Sequence, residues 1–235
     1  MSFSIIIPSR NLDNLKACVA AIRAAGETAR IIVVWDDAMA EIGIVWFVWV
    51  MNEIYRNTPG DGSYRIMPGA IPFCFARNVN IGIRAAGDDD VILLNDDALL
   101  ESSNGARGLS MMATTNANCG LLSARVRGAA HPAHLLGAKI VRGAAPRGPV
   151  MVPFVCVFIP RRVIEQVGLL DERFFPGGYE DDDYCRRVRL AGFDIGVYDG
   201  CVVDHQILPH TFRPKGKPHC YDLATNRQRY LDKWR

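Results

Sequence analysis

The sequence predicts a single α/β domain in which helices flank a mostly parallel central sheet. Short apolar runs rich in β-branched residues alternate with segments whose apolar residues recur at helical spacing, and this alternation is typical of strand–helix–strand units. Several of the apolar runs end in acidic or polar residues, as parallel strands do at the sheet edge where ligands bind. With 235 residues, the chain is long enough to bury a core of its own.

Composition and charge exclude several classes of protein. Apolar residues make up 49% and charged residues 22% of the chain, and the formal net charge is +2, so no global field favours nucleic acid or a membrane. The charge is uneven, because residues 210–235 hold seven Lys/Arg and two Asp/Glu. This basic tail could face a phosphate or an anionic surface, or form a solvated terminal helix. We therefore divide the chain into a domain over residues 1–209 and a basic C-terminal tail over residues 210–235.

Cysteine usage and the start of the chain indicate a cytoplasmic protein. The seven cysteines are an odd number and form no Cys-x-x-Cys pair, so we expect reduced thiols rather than a disulfide framework. The opening MSFSIIIPSR lacks the basic region and long apolar core of a signal peptide. The most apolar stretch, IGIVWFVWVM at residues 42–51, is too short to span a bilayer.

The beginning of the chain predicts a strand, a helix and a second strand. FSIIIPSR is a buried strand by its apolar β-branched run, and NLDNLKACVAAIRAAG is a helix with Gly26 as its C-cap. ARIIVVWDD predicts a second buried strand that ends in acids. A right-handed crossover between parallel strands brings their carboxyl ends to the same edge of the sheet. The polar residues at these ends are Ser9, Arg10, Asp36 and Asp37.

The next segments continue the alternation. Residues 40–57 predict a buried helix, with a partner or membrane-surface face as the less favoured interpretation, and Trp46 and Trp49 are the candidate interface of a homo-oligomer. YRIMPG predicts a short strand, and FARNVNIGIRAAG predicts a helix that ends at Gly87. DDVILLNDDALL predicts a central strand. Its carboxyl end carries Asn95, Asp96 and Asp97.

The second half of the chain predicts further strands and helices around a Gly- and Arg-rich middle. Residues 105–113 predict a helix and CGLLSARV a strand, followed by a long loop that contains His131 and His134. The proline between these histidines and the lack of a nearby acid favour an ordinary loop over a metal site. VMVPFVCVFIPRRVIEQVG predicts a strand, a turn and a helix, and GFDIGVYDGCVVDHQ predicts a pair of strands.

Three acidic clusters at strand or loop ends point to a cation site. They are Asn95-Asp96-Asp97, Glu180 to Asp183, and Asp204-His205. Neighbouring carboxylates repel one another unless a cation compensates their charge. Carboxylate oxygens with one imidazole suit Mn²⁺ and, less well, Mg²⁺. Each cluster alone is more often a solvated loop, so the inference depends on the order of the three along the chain.

These segments resemble the nucleotide-sugar glycosyltransferases of the GT-A fold, notably glycosyltransferase family 2, over most of residues 3–206. SIIIPSRNLDNLKACVAAI resembles the opening strand and helix of the family. FARNVNIGIRAAGDDDVILLNDDALL resembles its middle block, where an Arg-Asn helix precedes the strand with the Asp-x-Asp motif. VGLLDERFFPGGYEDDDYCRRVRLAGF resembles its acceptor block, and GGYEDDDYCRR is also similar to a stretch of the β-1,4-galactosyltransferases.

The resemblance implies a GT-A, Rossmann-like domain that transfers a sugar with inversion from a nucleoside-diphosphate sugar to an acceptor hydroxyl. It implies Mn²⁺ or Mg²⁺ as the cofactor, with Asp97 and His205 as metal ligands. The residues that it assigns to the donor nucleotide are Pro8, Ser9, Arg10, Asp36, Asp37, Arg77, Asn95 and Asp96. The second strand departs from the family's pattern, which leaves the choice between Asp36 and Asp37 open for the base.

The acceptor block carries the implied catalytic residue. Glu180-Asp181 falls on the family's Glu-Asp pair, which implies that Asp181 is the general base for the acceptor hydroxyl. The residues implied to bind the acceptor are Gly178, Tyr179, Glu180 and Asp182. Asp182 and Asp183 begin a helix, where acidic side chains suit the helix dipole. Arg186 and Arg187 follow four residues later as expected ion-pair partners.

Other functions remain open. Asn95 in place of an aspartate would suit a module that binds a nucleotide or sugar without catalysis, although Asp97, Asp181 and His205 are all present. The basic tail would suit a glycosyltransferase that acts on hydroxylated bases of DNA. A glycan acceptor, such as a bacterial surface sugar, is preferred over DNA. A nucleotidyltransferase is disfavoured, because PSRNLDNL after the first strand contains no glycine.

Overall fold

The structure is a computed structural model that describes residues 2–36, 64–128, 151–211 and 222–235. Asp37, the helix predicted over residues 40–57, and the loop with His131 and His134 lie outside the described residues. No helix in the described part of the chain combines the length and the apolar character needed to cross a membrane. The six cysteines in that part are buried free thiols.

The described residues form eight strands and six helices. The strands are β1 (Phe3–Ser9), β2 (Arg30–Trp35), β3 (Tyr64–Pro68), β4 (Asp90–Leu94), β5 (Leu99–Leu100), β6 (Cys119–Arg127), β7 (Cys156–Ile159) and β8 (Asp194–Asp204). The helices are α1 (Leu12–Ala24), α2 (Phe75–Ala86), α3 (Gly105–Thr115), α4 (Arg161–Val167), α5 (Glu180–Leu190) and α6 (Leu223–Lys233). The helix predicted over residues 105–113 and the strand predicted at CGLLSARV correspond to α3 and β6.

The eight strands form one sheet in the order β3-β2-β1-β4-β7-β6-β8-β5. The first four are mutually parallel, and β7 is antiparallel to both β4 and β6. β8 is parallel to β6, and β5 is antiparallel to β8. The carboxyl ends of β1, β2, β4 and β8 and the amino end of β7 therefore meet at one edge of the sheet. The predicted α/β architecture with a mostly parallel sheet is confirmed.

The sheet is buried on both faces, which explains the continuous apolar runs of its central strands. In β1, Ile5 and Ile7 join one core with α1 and α3, whereas Ile6 joins a second core with α2, α4 and α5. The contact between α2 and β1 is close, because a Cβ atom at Gly82 would overlap the side chain of Ile6. This packing holds the carboxyl ends of the strands in a rigid arrangement.

The prediction of two strands in GFDIGVYDGCVVDHQ is wrong, because this segment forms the single strand β8. β8 pairs with β6 on both sides of an irregularity: Ala124 lies opposite Tyr198, but Arg125 lies opposite Val202. The residues between them form a bulge in which the ring of Tyr198 covers Gly200. The sequence Tyr-Asp-Gly suggested a turn between two strands, because Asp and Gly are common both in turns and in bulges.

Candidate functional site

One carboxylate and two imidazoles meet at the carboxyl end of β4. Asp97 Oδ1 lies 3.0 Å from His205 Nε2, and Asp97 Oδ2 lies 3.0 Å from His210 Nδ1. One potential ligand atom from each residue lies within 4.8 Å of the other two. Asp97 is buried, His205 is half-buried and His210 is exposed. The cluster therefore has a rigid base and one side that solutes can reach.

The pairing of β5 with β8 brings these residues together. Asp97 lies in the turn between β4 and β5, and that turn is closed by the hydrogen bond from Ala98 N to Asn95 O at 3.2 Å. Leu99 of β5 pairs with Asp204, the last residue of β8. His205 follows directly, and its backbone N–H donates to Arg127 O at 3.1 Å. The imidazole of His205 is thereby placed beside Asp97.

The charge and chemistry of this cluster fit a divalent cation. Burial opposes ionisation of Asp97, but the hydrogen bonds and charges of His205 and His210 outweigh it and hold the pKa of Asp97 below its ordinary value. Asp97 is therefore a carboxylate at neutral pH. One carboxylate with two imidazoles suits Mn²⁺ better than Mg²⁺, because Mg²⁺ prefers oxygen ligands alone. Within the described ranges, no other group of three acidic, His or Cys side chains has ligand atoms this close.

His210 was missed by the sequence analysis. The boundary at residue 209 places it in the basic tail, whereas its ring lies 4.8 Å from that of His205. Its neighbours hold it there, because Asn14 Nδ2 of α1 donates to Pro209 O at 2.8 Å and to Thr211 Oγ1 at 2.9 Å. The only sequence signal for His210 was its position five residues after His205. That spacing does not show that the His210 side chain lies near Asp97.

Asp96 is buried behind Asp97 and is bonded within the protein. Ser9 Oγ donates to Asp96 Oδ2 at 2.6 Å, and Thr211 Oγ1 donates to Asp96 Oδ1 at 2.7 Å. Burial raises the pKa of Asp96 to about 7, although both hydrogen bonds favour its ionised form. Asp96 thus connects the end of β1, the turn after β4 and the segment that carries His210.

The other residues predicted to bind the donor lie in different environments. Asp36 is buried at the end of β2, and its backbone N–H donates to Ser9 O at 2.7 Å. The guanidinium of Arg10 lies 5.7 Å from the ring centre of Phe73. Arg77 Nε donates to Glu172 Oε2 at 3.1 Å, so this guanidinium is engaged by an acid of the predicted acceptor block. Asn95 Oδ1 is buried and has no hydrogen-bond partner among the described residues.

The four consecutive acids occupy the first turn of α5 and differ in burial. Glu180 is only 6% exposed, and its Oε2 atom has no hydrogen-bond partner within the described chain. Burial, reinforced by the charge of Asp181, raises the pKa of Glu180 well above its ordinary value. Burial and the charge of Asp182 raise the pKa of Asp181 to about 7. The first two acids therefore differ from solvated surface carboxylates.

Residues 154–155 connect the two groups of acids. The backbone N–H of Asn95 donates to Val155 O at 2.9 Å. Burial raises the pKa of Asp181, and the backbone N–H of Phe154 opposes this rise. Because β7 begins at Cys156 and pairs antiparallel with β4, these residues lie at the same sheet edge as Asp97. Residues 154–155 therefore lie next to Asn95 and influence Asp181 at this edge of the sheet.

Asp183 has a structural role. Its side chain is fully buried, and Arg187 Nε donates to its Oδ2 atom at 2.9 Å, which is the ion pair that the spacing predicted. Lys233 Nζ and Trp234 Nε1 lie 2.6 and 2.9 Å from its Oδ1 atom. Arg186 instead lies over the ring of Trp234, at 4.4 Å from its centre. The sequence did not indicate that the basic tail contacts the acidic helix.

Comparisons of the sequence and structure with known proteins identify similar folds. No protein-family model and no curated protein matches the sequence. A crystal structure of GalNAc-T7 with UDP, GalNAc and Mn²⁺ matches with a TM-score of 0.72 and 13% identity, over 99% of this chain and 48% of that chain. S. aureus TarS 1-349 matches with a TM-score of 0.64 and 13% identity, over 86% of this chain and 60% of that chain. A UTP-bound UGPase from Acinetobacter baumannii matches with a TM-score of 0.53 and 13% identity, over 85% and 86% of the two chains.

These likenesses show the fold. GalNAc-T7 and TarS are both GT-A glycosyltransferases, so the chain has the GT-A fold that the resemblance implied. The chain spans about half the length of the GalNAc-T7 chain, at 48%, and 60% of that of TarS 1-349. At 13% identity, the activity of this protein has to be argued from its own side chains.

Proposed function

We propose that this protein is an inverting, metal-dependent glycosyltransferase that moves a sugar from a nucleoside-diphosphate sugar to an acceptor hydroxyl. The observation that carries the proposal is the cluster of Asp97, His205 and His210, at the sheet edge where Val155 bonds Asn95 and the neighbouring Phe154 N–H acts on Asp181. The GT-A fold supports it, as does the presence of UDP and Mn²⁺ in the GalNAc-T7 structure. The same comparison makes UDP-sugars the first donors to test.

Asp97, His205 and His210 would hold the cation. When bound, a divalent cation at this position neutralises negative charge that develops on the departing diphosphate. The donor nucleotide would occupy the edge formed by Pro8, Ser9, Arg10 and Asp36, with Asp37, Arg77, Asn95 and Asp96 as the remaining predicted contacts. Asn95 supports this assignment, because its buried Oδ1 atom is an acceptor that a ligand could satisfy.

Asp181 is the proposed general base. With its pKa raised to about 7, it is a stronger base than an ordinary aspartate and is still ionised in a useful fraction at neutral pH. As the acceptor oxygen forms its bond to the anomeric carbon, Asp181 takes the hydroxyl proton. The bond from that carbon to the diphosphate oxygen breaks, and its electron pair leaves with the nucleoside diphosphate. Glu180, buried with its free Oε2 atom, would orient the acceptor hydroxyl.

The acceptor is a glycan in this proposal, with a hydroxylated DNA base as the alternative. The charge of the basic tail is weaker support for a DNA acceptor than its composition suggested. Lys233 pairs with acids of the protein itself, at 2.7 Å from Asp171 and 2.6 Å from Asp183, so its charge is not available to a phosphate. Arg229 also donates within the protein, to Phe175 O at 3.2 Å. A binding module without catalysis is disfavoured by the burial of Glu180, whose Oε2 atom has no hydrogen-bond partner among the described residues and is open to an acceptor.

A nucleotidyltransferase is the second candidate. The UGPase structure favours it, because the match covers 85% of this chain and 86% of that chain. The loop after β1, PSRNLDNL, argues against it, since it has no glycine with which the backbone could cradle a triphosphate. The products separate the two: a nucleotidyltransferase releases pyrophosphate from a nucleoside triphosphate and a sugar phosphate, whereas a glycosyltransferase releases a nucleoside diphosphate.

Thermal unfolding with a panel of nucleotides and nucleotide sugars tests the proposal. A ligand present at about 100 times its Kd stabilises the native state by about 2.7 kcal/mol. We expect a Mn²⁺-dependent rise in Tm for one nucleotide that is lost in Asp97→Ala and kept in Asp181→Asn. Glu165→Gln, an exposed acid on α4, is the matched control. The absence of a shift with every nucleotide, with or without Mn²⁺, would refute the proposed function.

A further inference from the structure

The C-terminal helix α6 lies on the segment that leads into the proposed catalytic acids. Asn226 is fully buried, and its Nδ2 atom donates to Gly177 O at 2.8 Å. Arg229 Nη1 donates to Phe175 O at 3.2 Å and to Asn226 Oδ1 at 2.7 Å. The backbone carbonyls of Phe175 and Gly177, which precede α5, therefore accept hydrogen bonds from side chains of α6.

The next two residues of this loop also contact α6. Gly178 has a φ of +93°, and a Cβ atom at this position would lie 2.5 Å from Leu223 Cδ2. Tyr179 has a φ of 72°, and its ring centre lies 5.8 Å from that of Tyr230. Glycine adopts a positive φ at little cost, but a tyrosine in the left-handed region costs conformational free energy, so the surrounding structure must hold Tyr179. The α6 side chains are part of that surrounding structure.

The end of α6 is bound to the first turn of α5 itself. Asp183 is fully buried, and Lys233 Nζ and Trp234 Nε1 both contact its Oδ1 atom. Lys233 Nζ also lies 2.7 Å from Asp171 Oδ2, at the start of the loop. A buried carboxylate is stable only where such partners compensate its charge. Loop and helix are therefore held by α6 at both ends of the segment from Asp171 to Asp183.

We propose that α6 is a positioning element for the catalytic acids, with Asn226 and Trp234 as positioning residues. The inference rests on the proposed function, because it assigns to α6 the task of keeping Glu180 and Asp181 in the geometry that transfer requires. A displacement of about 1 Å at a reacting group can lower a rate by about 100-fold. In the part of the chain that the structure describes, the side-chain hydrogen bonds and ion pairs that α6 and Trp234 form outside the helix go to the loop and α5, not to the Asp97 cluster. We therefore expect its effect on turnover rather than on donor binding.

Kinetics of full-length variants separate these effects. Wild type, Asn226→Ala and Trp234→Phe are compared for Mn²⁺-dependent release of UDP from UDP-GalNAc and UDP-glucose, and for the Kd of UDP with Mn²⁺. We expect Asn226→Ala and Trp234→Phe to lower kcat by about 10- to 100-fold, while the Kd for UDP stays within about twofold. Gln228→Ala is the matched control, because Gln228 is exposed on α6 and, among the described residues, its side chain bonds Asp232 alone.

Hydrogen–deuterium exchange of the same four proteins gives a readout that needs no substrate. We expect faster exchange of the amides of residues 174–183 in Asn226→Ala and unchanged exchange in β1 and β4. Unchanged kcat in both positioning variants overturns the inference, as does a loss of UDP affinity equal to the loss of kcat. A wild-type protein that binds no nucleotide or nucleotide sugar of the thermal-unfolding panel refutes the proposed function instead, and the positioning role with it; where another nucleotide binds, the same kinetics are measured with its sugar donor.

Discussion

Asp183 and Glu180 lie in the same helical turn and are both buried, yet neutralising them should change stability in opposite directions. Asp183 is 0% exposed and contacts Arg187 Nε at 2.9 Å, Lys233 Nζ at 2.6 Å and Trp234 Nε1 at 2.9 Å. Removing one partner from a buried ion pair costs about 3–5 kcal/mol, because the remaining charges lose their compensation. Asp183→Asn should therefore lower the free energy of unfolding by about 3–5 kcal/mol.

Glu180→Gln supplies the matched comparison. Glu180 is 6% exposed, but its Oε2 atom has no hydrogen-bond partner in the described structure, and burial raises its pKa well above the ordinary value. A carboxyl whose folded pKa is raised contributes stability that is lost as the pH rises through that pKa. The amide does not titrate, so we expect Glu180→Gln to leave stability unchanged at low pH and to increase it progressively at high pH.

Urea unfolding followed by circular dichroism measures both variants, with thermal unfolding as an independent check. For a chain of this size, about 2–4 °C per kcal/mol converts the expected loss in Asp183→Asn into a Tm lower by about 6–20 °C. The reasoning is refuted if Asp183→Asn costs less than about 1 kcal/mol, the level of an exposed ion pair. It is equally refuted if Glu180→Gln is as destabilising as Asp183→Asn.

Three further predictions concern the metal centre, the base and the loop. His210→Ala should weaken Mn²⁺ binding, measured by calorimetry without nucleotide. Loss of an outer-shell partner of a metal costs about 10- to 100-fold in affinity, and loss of a ligand should cost at least as much; unchanged affinity would exclude His210 as a ligand. The transfer rate should rise with pH through about 7 as Asp181 ionises, and Asp182→Asn should shift this limb to lower pH because it removes a charge that raises the pKa of Asp181; a limb that does not move contradicts the assignment. Gly178→Ala should lower stability in urea for two reasons: the φ of +93° strains an alanine, and the new Cβ atom would lie 2.5 Å from Leu223 Cδ2. Adding Leu223→Ala should recover only the part due to the contact with Leu223; full recovery would mean that the backbone is not strained.

Local patterns in the sequence predict most of the strands and helices. The apolar run of β1 and the helical spacing of α1 are short-range signals, and Gly87 ends α2 as the turn chemistry predicts. The polar residues after β4 indicated the functional edge of the sheet, because the carboxyl ends of parallel strands meet there. The resemblance to the GT-A glycosyltransferases implied Asp97 and His205, and the structure places the two side chains 3.0 Å apart.

Only the tertiary structure decided which side chains complete the site. His210 reaches Asp97 across a separation of 113 residues, and Lys233 and Trp234 reach Asp183 from the end of the chain. It also buried Glu180 with an unpartnered Oε2 atom among the described residues and surrounded Asp183 with three partners, although the four consecutive acids are alike in the sequence. The spacing of apolar residues in a sequence shows which faces of its helices and strands are apolar, because this pattern repeats every few residues. The compensation of a buried charge depends on whichever distant side chain the packing brings within about 3 Å, and no local pattern encodes it.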